Sequence, residues 1–151
     1  MGPYPNAYQI EEIFATRTQP EKFHEYMADP VDVEVVGEDH EIAGHYKSLE
    51  EFNEKVFARI SDTVKRESIR LEIKRVIGGG ESAWAAVEYS STAESKYGKD
   101  RWHTLKLVDL VRFDSNGKIA TIREYFDTRL IHDLVLEHEA NQGKEEEQTE
   151  G

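Results

Sequence analysis

Apolar residues near the start of the chain recur with the spacing of helices. Residues 8–17 place Ile10, Ile13 and Phe14 on one helical face, which predicts a short helix. Pro20 opens a second short helix, because the first turn of a helix accepts proline.

The next segments alternate between strand and helix patterns. Residues 31–36 (VDVEVV) alternate as a half-buried strand does, and residues 41–46 predict a partner strand. Ser48 is a good N-cap and Glu51 completes a capping box, so a long helix is predicted after Ser48.

From residue 69 onward the pattern is mainly that of strands. Helices early in the chain and an antiparallel meander late in it indicate an α+β fold. A long bent sheet with helices on one face tends to enclose a conical pocket. The predicted strands are 69–77, 82–95, 101–113 and 119–128, and a last short helix covers about 129–139.

Charge and composition exclude several classes of function. The 151 residues include 31 acidic and 19 basic side chains, and the net charge of −12 argues against a nucleic-acid or anionic-membrane surface. No apolar run approaches the roughly 20 residues of a membrane span. The first residues lack the pattern of a secretory signal, and the absence of cysteine fits a cytoplasmic protein.

The chain is predicted to form one domain with a tail. We find no internal repeat and no Pro-, Gly- or Ser-rich linker, so residues 1–139 are assigned to a single pocket domain. Residues 141–151 (NQGKEEEQTEG) contain no apolar side chain. Residues 140–151 are therefore expected to be a disordered acidic tail.

Two motifs resemble those of a known family. Residues 37–46 (GEDHEIAGHY), followed by residues 48–52 (SLEEF), resemble a loop that enters the long helix in the SnoaL-like branch of the nuclear-transport-factor-two-like superfamily. Residues 111–127, which contain VRFD and REYFD, resemble the last hairpin of that family. The resemblance implies a strongly bent antiparallel or mixed sheet wrapped around helices, a cystatin-like roll with a conical pocket.

Asp109 is out of place in the centre of an apolar strand. A buried carboxylate costs several kcal/mol unless it is paired or protonated. Residues 107–114 (LVDLVRFD) resemble the steroid-isomerase strand whose aspartic acid stays protonated and helps to form an oxyanion hole. The base of that isomerase would fall at Val35, with Glu34 on the opposite face, so steroid isomerisation by the same mechanism is not expected.

If Asp109 faces the pocket, strand alternation predicts which other residues face it, because positions i, i+2 and i+4 share a face. The candidate catalytic residues are Asp109, Glu124, His103 and Asp127, of which Asp127 follows from the position of the acid/base aspartate in SnoaL-like cyclases. The candidate substrate-binding residues are Tyr89, Leu105, Leu107, Phe126, His40 and Val35.

Each candidate also has a purely structural interpretation. Asp109 could pair with an arginine, Glu124 could form an ion pair on a solvated face, and Asp127 could cap the last helix. His103 could lie at a rim, and His40 could shape its loop. No arginine is assigned to the inward face.

No metal or cofactor is predicted. His40 and His45 are five residues apart with acids nearby, but a metal site would need a third ligand from elsewhere. Gly78, Gly79 and Gly80 join two strands and do not open a helix, so they are not a phosphate-binding loop.

Trp84, Trp102 and Tyr125 are expected on the outer face of the sheet, where a homodimer is predicted.

The leading hypothesis is a cofactor-independent enzyme for a small, apolar, carbonyl-bearing molecule, such as a polyketide or terpenoid intermediate. It would couple proton transfer to isomerisation, cyclisation or dehydration. The alternative is a dimeric module that binds a small ligand without chemistry. A third hypothesis is the addition of water to an epoxide, which needs two carboxylates and an arginine around one water.

Overall fold

The computed structural model describes residues 2–97 and 100–150. The strands are β1 Met27–Val35, β2 Gly44–Tyr46, β3 Arg70–Gly78, β4 Trp84–Glu94, β5 Trp102–Phe113 and β6 Ile119–Phe126. The helices are α1 Ala7–Phe14, α2 Pro20–His24, α3 Leu49–Phe52, α4 Ala58–Ser61 and α5 Thr128–Glu150. A π-helical segment, Asn53–Phe57, joins α3 to α4 without a break.

The six strands form one curled, unclosed sheet in the order β2-β1-β6-β5-β4-β3. Strands β3 to β6 pair antiparallel as a meander, and β1 pairs parallel to β6. The predicted α+β class and the late meander are confirmed.

Local capping explains where two helices begin. The side chain of Asn6 accepts a hydrogen bond from the backbone N–H of Gln9, whose own side chain accepts one from the backbone N–H of Asn6. The hydroxyl of Ser48 accepts from Glu51 N at 3.1 Å, as predicted. The Glu51 carboxylate accepts instead from Lys47 N at 3.4 Å, so only half of the predicted capping box forms.

Strand phase separates the two faces of the sheet as predicted. On β5, Leu107, Asp109 and Val111 are buried, and on β4 the inward residues are Ala85, Val87 and Tyr89. Trp84, Trp102 and Tyr125 are exposed on the outer face. The homodimer that this face was expected to form stays a prediction.

The last helix is longer than the sequence pattern indicated. It runs to Glu150, so the predicted end near Glu139 is wrong and the backbone of the expected tail continues the helix. The first part of α5 contributes to the core through Ile131, Leu134 and Val135. The division into a domain and a tail stays a prediction. Among the described residues, no helix is both long enough and apolar enough to cross a membrane.

Candidate functional site

Two acids face each other at the centre of the curled sheet. Asp109 on β5 pairs across the strands with Glu124 on β6, and both side chains are buried. The phenol of Tyr89, on β4, donates a hydrogen bond to Asp109 Oδ2 at 2.7 Å. The same hydroxyl lies 3.4 Å from Glu124 Oε1, so the phenol bridges the two carboxyl groups.

Arg17 adds a positive charge that the sequence analysis did not place inward. It follows α1, and its Nη2 lies 3.4 Å from Glu124 Oε1 with the two side chains only 11% and 5% exposed. Its guanidinium also lies over three aromatic rings, at 4.9 Å from Phe23, 5.5 Å from Phe52 and 5.8 Å from Phe57. Such contacts favour a desolvated cation.

A signal for Arg17 was present in the sequence. Positions 10, 13, 14 and 17 continue one stripe at helical spacing, so Arg17 prolongs the apolar face of α1. The chain leaves helical geometry after Phe14, but Arg17 N still donates to Phe14 O at 3.0 Å, which keeps the side chain on the same side. The strand pattern assigned no arginine to the inward face, and the structure places Arg17 there.

Burial decides how these groups are protonated. Burial raises the pKa of Asp109 well above its ordinary range, and the nearby Glu124 raises it further, whereas Arg17 and the phenol of Tyr89 lower it only in part. Burial and the carboxylates also raise the pKa of Tyr89, which keeps its proton. Burial lowers the pKa of Arg17, but Tyr89, Glu124 and Asp109 together outweigh it and leave that pKa raised.

The cluster is therefore charge-balanced when it holds one extra proton. Asp109 Oδ1 is buried without a hydrogen-bond partner, which favours a neutral carboxyl group at this position because an unpaired buried charge is costly. The remaining carboxylate, on Glu124, pairs with Arg17. The result is a carboxylic acid and a carboxylate side by side.

A mostly apolar cavity of about 120 Å³ opens from this cluster. The polar side chains of Arg17, Tyr89 and Glu124 line one part of it, whereas Asp109 lies behind them and does not line it. The apolar lining includes Phe52, Val56, Phe57, Ile60, Leu71, Leu105, Leu107, Leu130, Ile131 and Leu134.

The structure brings together about half of the candidate residues. Tyr89, Leu105, Leu107, His103 and Glu124 line the cavity, and Asp109 reaches it only through Tyr89.

The other candidates lie outside the cavity lining. Asp127 is exposed, and its carboxylate accepts a hydrogen bond from Leu130 N at 3.2 Å, so it caps α5. His40 contacts its own loop through Val36 O at 3.1 Å and packs against Phe126. Val35 is 1% exposed within the hydrophobic core. His40, Phe126 and Val35 are therefore not among the residues that line this cavity, and their role in ligand binding stays a prediction.

The histidines do not converge on a metal site. His45 contacts Asp32 through Nε2, while Nε2 of His40 is bonded to Val36 O. Within the described part of the chain, no group of three or more His, Asp or Glu side chains is arranged to hold a metal ion.

Comparison with solved structures identifies the fold. An NTF2-like protein from Burkholderia thailandensis E264 is similar with a TM-score of 0.67 and 17% identity, covering 89% of this chain and 97% of that one. TerC, co-crystallised with polyporic acid, has a TM-score of 0.65 and 19% identity, covering 83% and 94%. SalBIII, described as an epoxide hydrolase/cyclase-like enzyme in pyran ring formation in polyether salinomycin, has a TM-score of 0.55 and 18% identity, covering 80% and 88%.

Sequence comparison alone gives no match. No family model matches the chain, and no curated protein does so either. The fold that the two motifs implied is confirmed by structure, since solved structures of NTF2-like proteins superpose over more than four-fifths of the chain. The chain therefore has the nuclear-transport-factor-two-like fold.

Proposed function

We propose that this protein is a cofactor-independent acid/base enzyme that isomerises, cyclises or dehydrates a small, largely apolar, carbonyl-bearing molecule. The observation that carries the proposal is the bridged pair of Asp109 and Glu124 at the edge of an apolar cavity. Two carboxyl groups in contact share a proton, and such a pair supplies both an acid and a base at one site.

Glu124 is the general base in this proposal. Its carboxylate lines the cavity and its charge is stabilised by Arg17 at 3.4 Å. It accepts a proton from carbon next to the substrate carbonyl, and the same carboxylic acid returns that proton at the new position. The overall reaction then needs no oxidant, reductant or bound cofactor.

Tyr89 and Asp109 stabilise the negative charge that develops on the substrate oxygen. A hydroxyl group can rotate, so the phenol can turn from Asp109 toward the cavity and donate to that oxygen. The neutral carboxyl group of Asp109 then donates to the phenol oxygen behind it. Asp109 therefore acts as a positioning residue through Tyr89, while Tyr89 and Glu124 contact the substrate.

The buried arginine favours one second reaction, the opening of an epoxide. Two carboxyl groups and an arginine form the set proposed for this reaction, and Arg17 adds the arginine, although Asp109 acts only through Tyr89. Glu124 would take a proton from water or from a substrate hydroxyl group. The oxygen of that water or hydroxyl group would attack the epoxide carbon at the same time. The Tyr89–Asp109 relay would give a proton to the epoxide oxygen as the C–O bond breaks. SalBIII, a structural neighbour, is an epoxide hydrolase/cyclase-like enzyme.

A binding module without chemistry fits the cavity less well. That alternative is favoured by an apolar pocket with one charged group locked in an ion pair. Here an acid, a phenol and a guanidinium line the cavity, a second acid lies directly behind the phenol, and burying such a set is costly if it does nothing.

The two reactions are separated by two assays on the same protein. Proton abstraction is measured as deuterium exchange next to the carbonyl of cyclohexanone in heavy water by NMR. Epoxide opening is measured as the incorporation of isotopically labelled water into cyclohexene oxide by mass spectrometry. Glu124→Gln should lower whichever rate is present by about 10²–10⁴-fold.

Glu88→Gln is the matched control, because Glu88 lies on the outer face of β4 and pairs with Arg75 at 3.1 Å. The Glu88→Gln variant should catalyse the measured reaction at the same rate as the wild-type protein. The proposal is wrong if neither reaction is accelerated, or if Glu124→Gln and Glu88→Gln have the same effect.

A further inference from the structure

The cavity wall is a regular ladder that leads away from the acid cluster. Strands β4 and β5 pair in register, with Tyr89 opposite Leu107, then Ser91 opposite Leu105, then Ala93 opposite His103. All six side chains line the cavity. His103 therefore lies on the same wall as Tyr89. It precedes Leu107, the strand partner of Tyr89, by two inward-facing positions on β5.

The imidazole of His103 has an unsatisfied polar atom in this wall. Its Nε2 is buried and has no hydrogen-bond partner within the part of the chain that the structure describes. Ala93, directly opposite, carries only a methyl group and offers no polar partner. A buried polar atom without a partner is destabilising, and a ligand atom that pairs with it recovers that cost.

A neighbouring carboxylate does not supply the missing partner. Glu137 on α5 lies near enough to His103 to interact with it electrostatically. Both of its carboxylate oxygens accept instead from Arg101, at 2.6 Å and 3.1 Å. His103 therefore lines the cavity with one ring nitrogen still unpaired among the described residues.

We propose that His103 is a specificity-determining residue that hydrogen-bonds a second oxygen atom of the substrate. This inference rests on the proposed function, in which Tyr89 donates a hydrogen bond to the reacting oxygen and Glu124 moves the proton. His103 and Leu107 are four positions apart on the strand, and at about 3.3 Å per position their Cα atoms lie about 13 Å apart. The substrate is then an elongated apolar molecule with an oxygen at each end.

The second oxygen belongs to a neutral group. An imidazole nitrogen can donate a hydrogen bond to a carbonyl group or accept one from a hydroxyl group, so it can bind either of these neutral groups. Among the described residues, Arg17 alone brings a guanidinium to the cavity lining, and it is paired with Glu124. A hydroxyl or a carbonyl therefore fits the His103 end better than a carboxylate.

The test compares two rigid rods that differ in one hydroxyl. The probes are para-phenylphenol, with an oxygen at one end, and para,para′-biphenol, with an oxygen at both ends. Calorimetry gives the Kd of each probe for the wild-type protein, for His103→Phe and for His103→Gln. The exposed His24 provides a matched control variant, His24→Phe.

The diol should bind the wild-type protein roughly three- to tenfold more tightly than the monophenol, the factor expected for one neutral hydrogen bond. His103→Phe should abolish that ratio without weakening the monophenol, and His103→Gln should keep part of it. His24→Phe should leave both Kd values unchanged. In the imidazole NMR spectrum, the diol should shift the signals of His103 and the monophenol should not.

Equal Kd values for the two probes in the wild-type protein would overturn the proposal, and so would a ratio that His103→Phe leaves intact. Failure of both rods to bind would overturn it as well, because a cavity of the assigned length must accept them. These outcomes concern binding alone. They are distinguishable from a failure of the proposed function, which would appear as catalysis insensitive to Glu124→Gln.

Discussion

The protonated state of Asp109 predicts an unusual dependence of stability on pH. Because burial and Glu124 raise the pKa of this carboxyl group in the folded protein, it keeps its proton where an unfolded chain, with a value of about 3.9, has released it. In that pH range the folded state binds one more proton than the unfolded state. Asp109 therefore makes the free energy of unfolding fall as pH rises.

Asp109→Asn removes this proton and preserves the shape of the side chain. The free energy of unfolding of the variant, minus that of the wild-type protein, should rise by about 1.4 kcal/mol per pH unit while the folded wild type stays protonated. A carboxyl group that remains neutral up to pH 7 gives a change of about 2.7 kcal/mol between pH 5 and pH 7. The amide can still accept the hydrogen bond that Tyr89 donates at 2.7 Å to Asp109.

Urea unfolding followed by circular dichroism, at one protein concentration and several pH values, measures the difference. Asp127→Asn is the control, because it changes the same functional group on the exposed cap of α5. A difference between Asp109→Asn and wild type that does not change with pH would refute the reasoning. It would mean that the buried acid ionises like a free one.

Two further changes test the charges around the cavity. Arg17→Met leaves the carboxylate of Glu124 without its cation and should lower the free energy of unfolding by about 3–5 kcal/mol in urea titrations. The control Arg123→Met breaks an exposed pair with Glu34 and should lower the free energy of unfolding by under about 1 kcal/mol. Equal losses in the two variants would contradict the buried pairing of Arg17 with Glu124. Asp127→Ala should cost about 1 kcal/mol as a lost cap and leave Kd values for the phenol probes unchanged, whereas weaker phenol binding would place Asp127 in the site.

The sequence predicts the fold well where a periodic pattern meets a regular element. The alternation along β5 is regular from end to end, so the inward phase of Asp109 could be derived before any coordinates were known. The depth of the carboxyl group could not be derived in this way. A strand pattern gives the face of a residue but not which neighbouring side chain covers it, and here Tyr89 stands between Asp109 and the cavity.

Tertiary contacts explain the candidates that sequence reasoning missed or misplaced. Arg17 lies 107 residues from Glu124 in the chain, and no local pattern relates their positions. Asp127 was expected near the cavity from the position of its counterpart in related cyclases, but the strand ends at Phe126 and the helix begins at Thr128. A carboxylate at that junction is captured by the free N–H groups of the new helix.

The placement of β6 between β1 and β5 has a consequence for how the protein matures. Glu124 is held by backbone pairing on both sides, to Val35 and to Asp109, and by Arg17 from the start of the chain. During synthesis, a chain that has emerged only as far as β5 already contains Arg17, Tyr89 and Asp109 but lacks the base. Affinity for a small molecule at this site is thus acquired last, and a bound ligand stabilises only the chain whose final strand has docked.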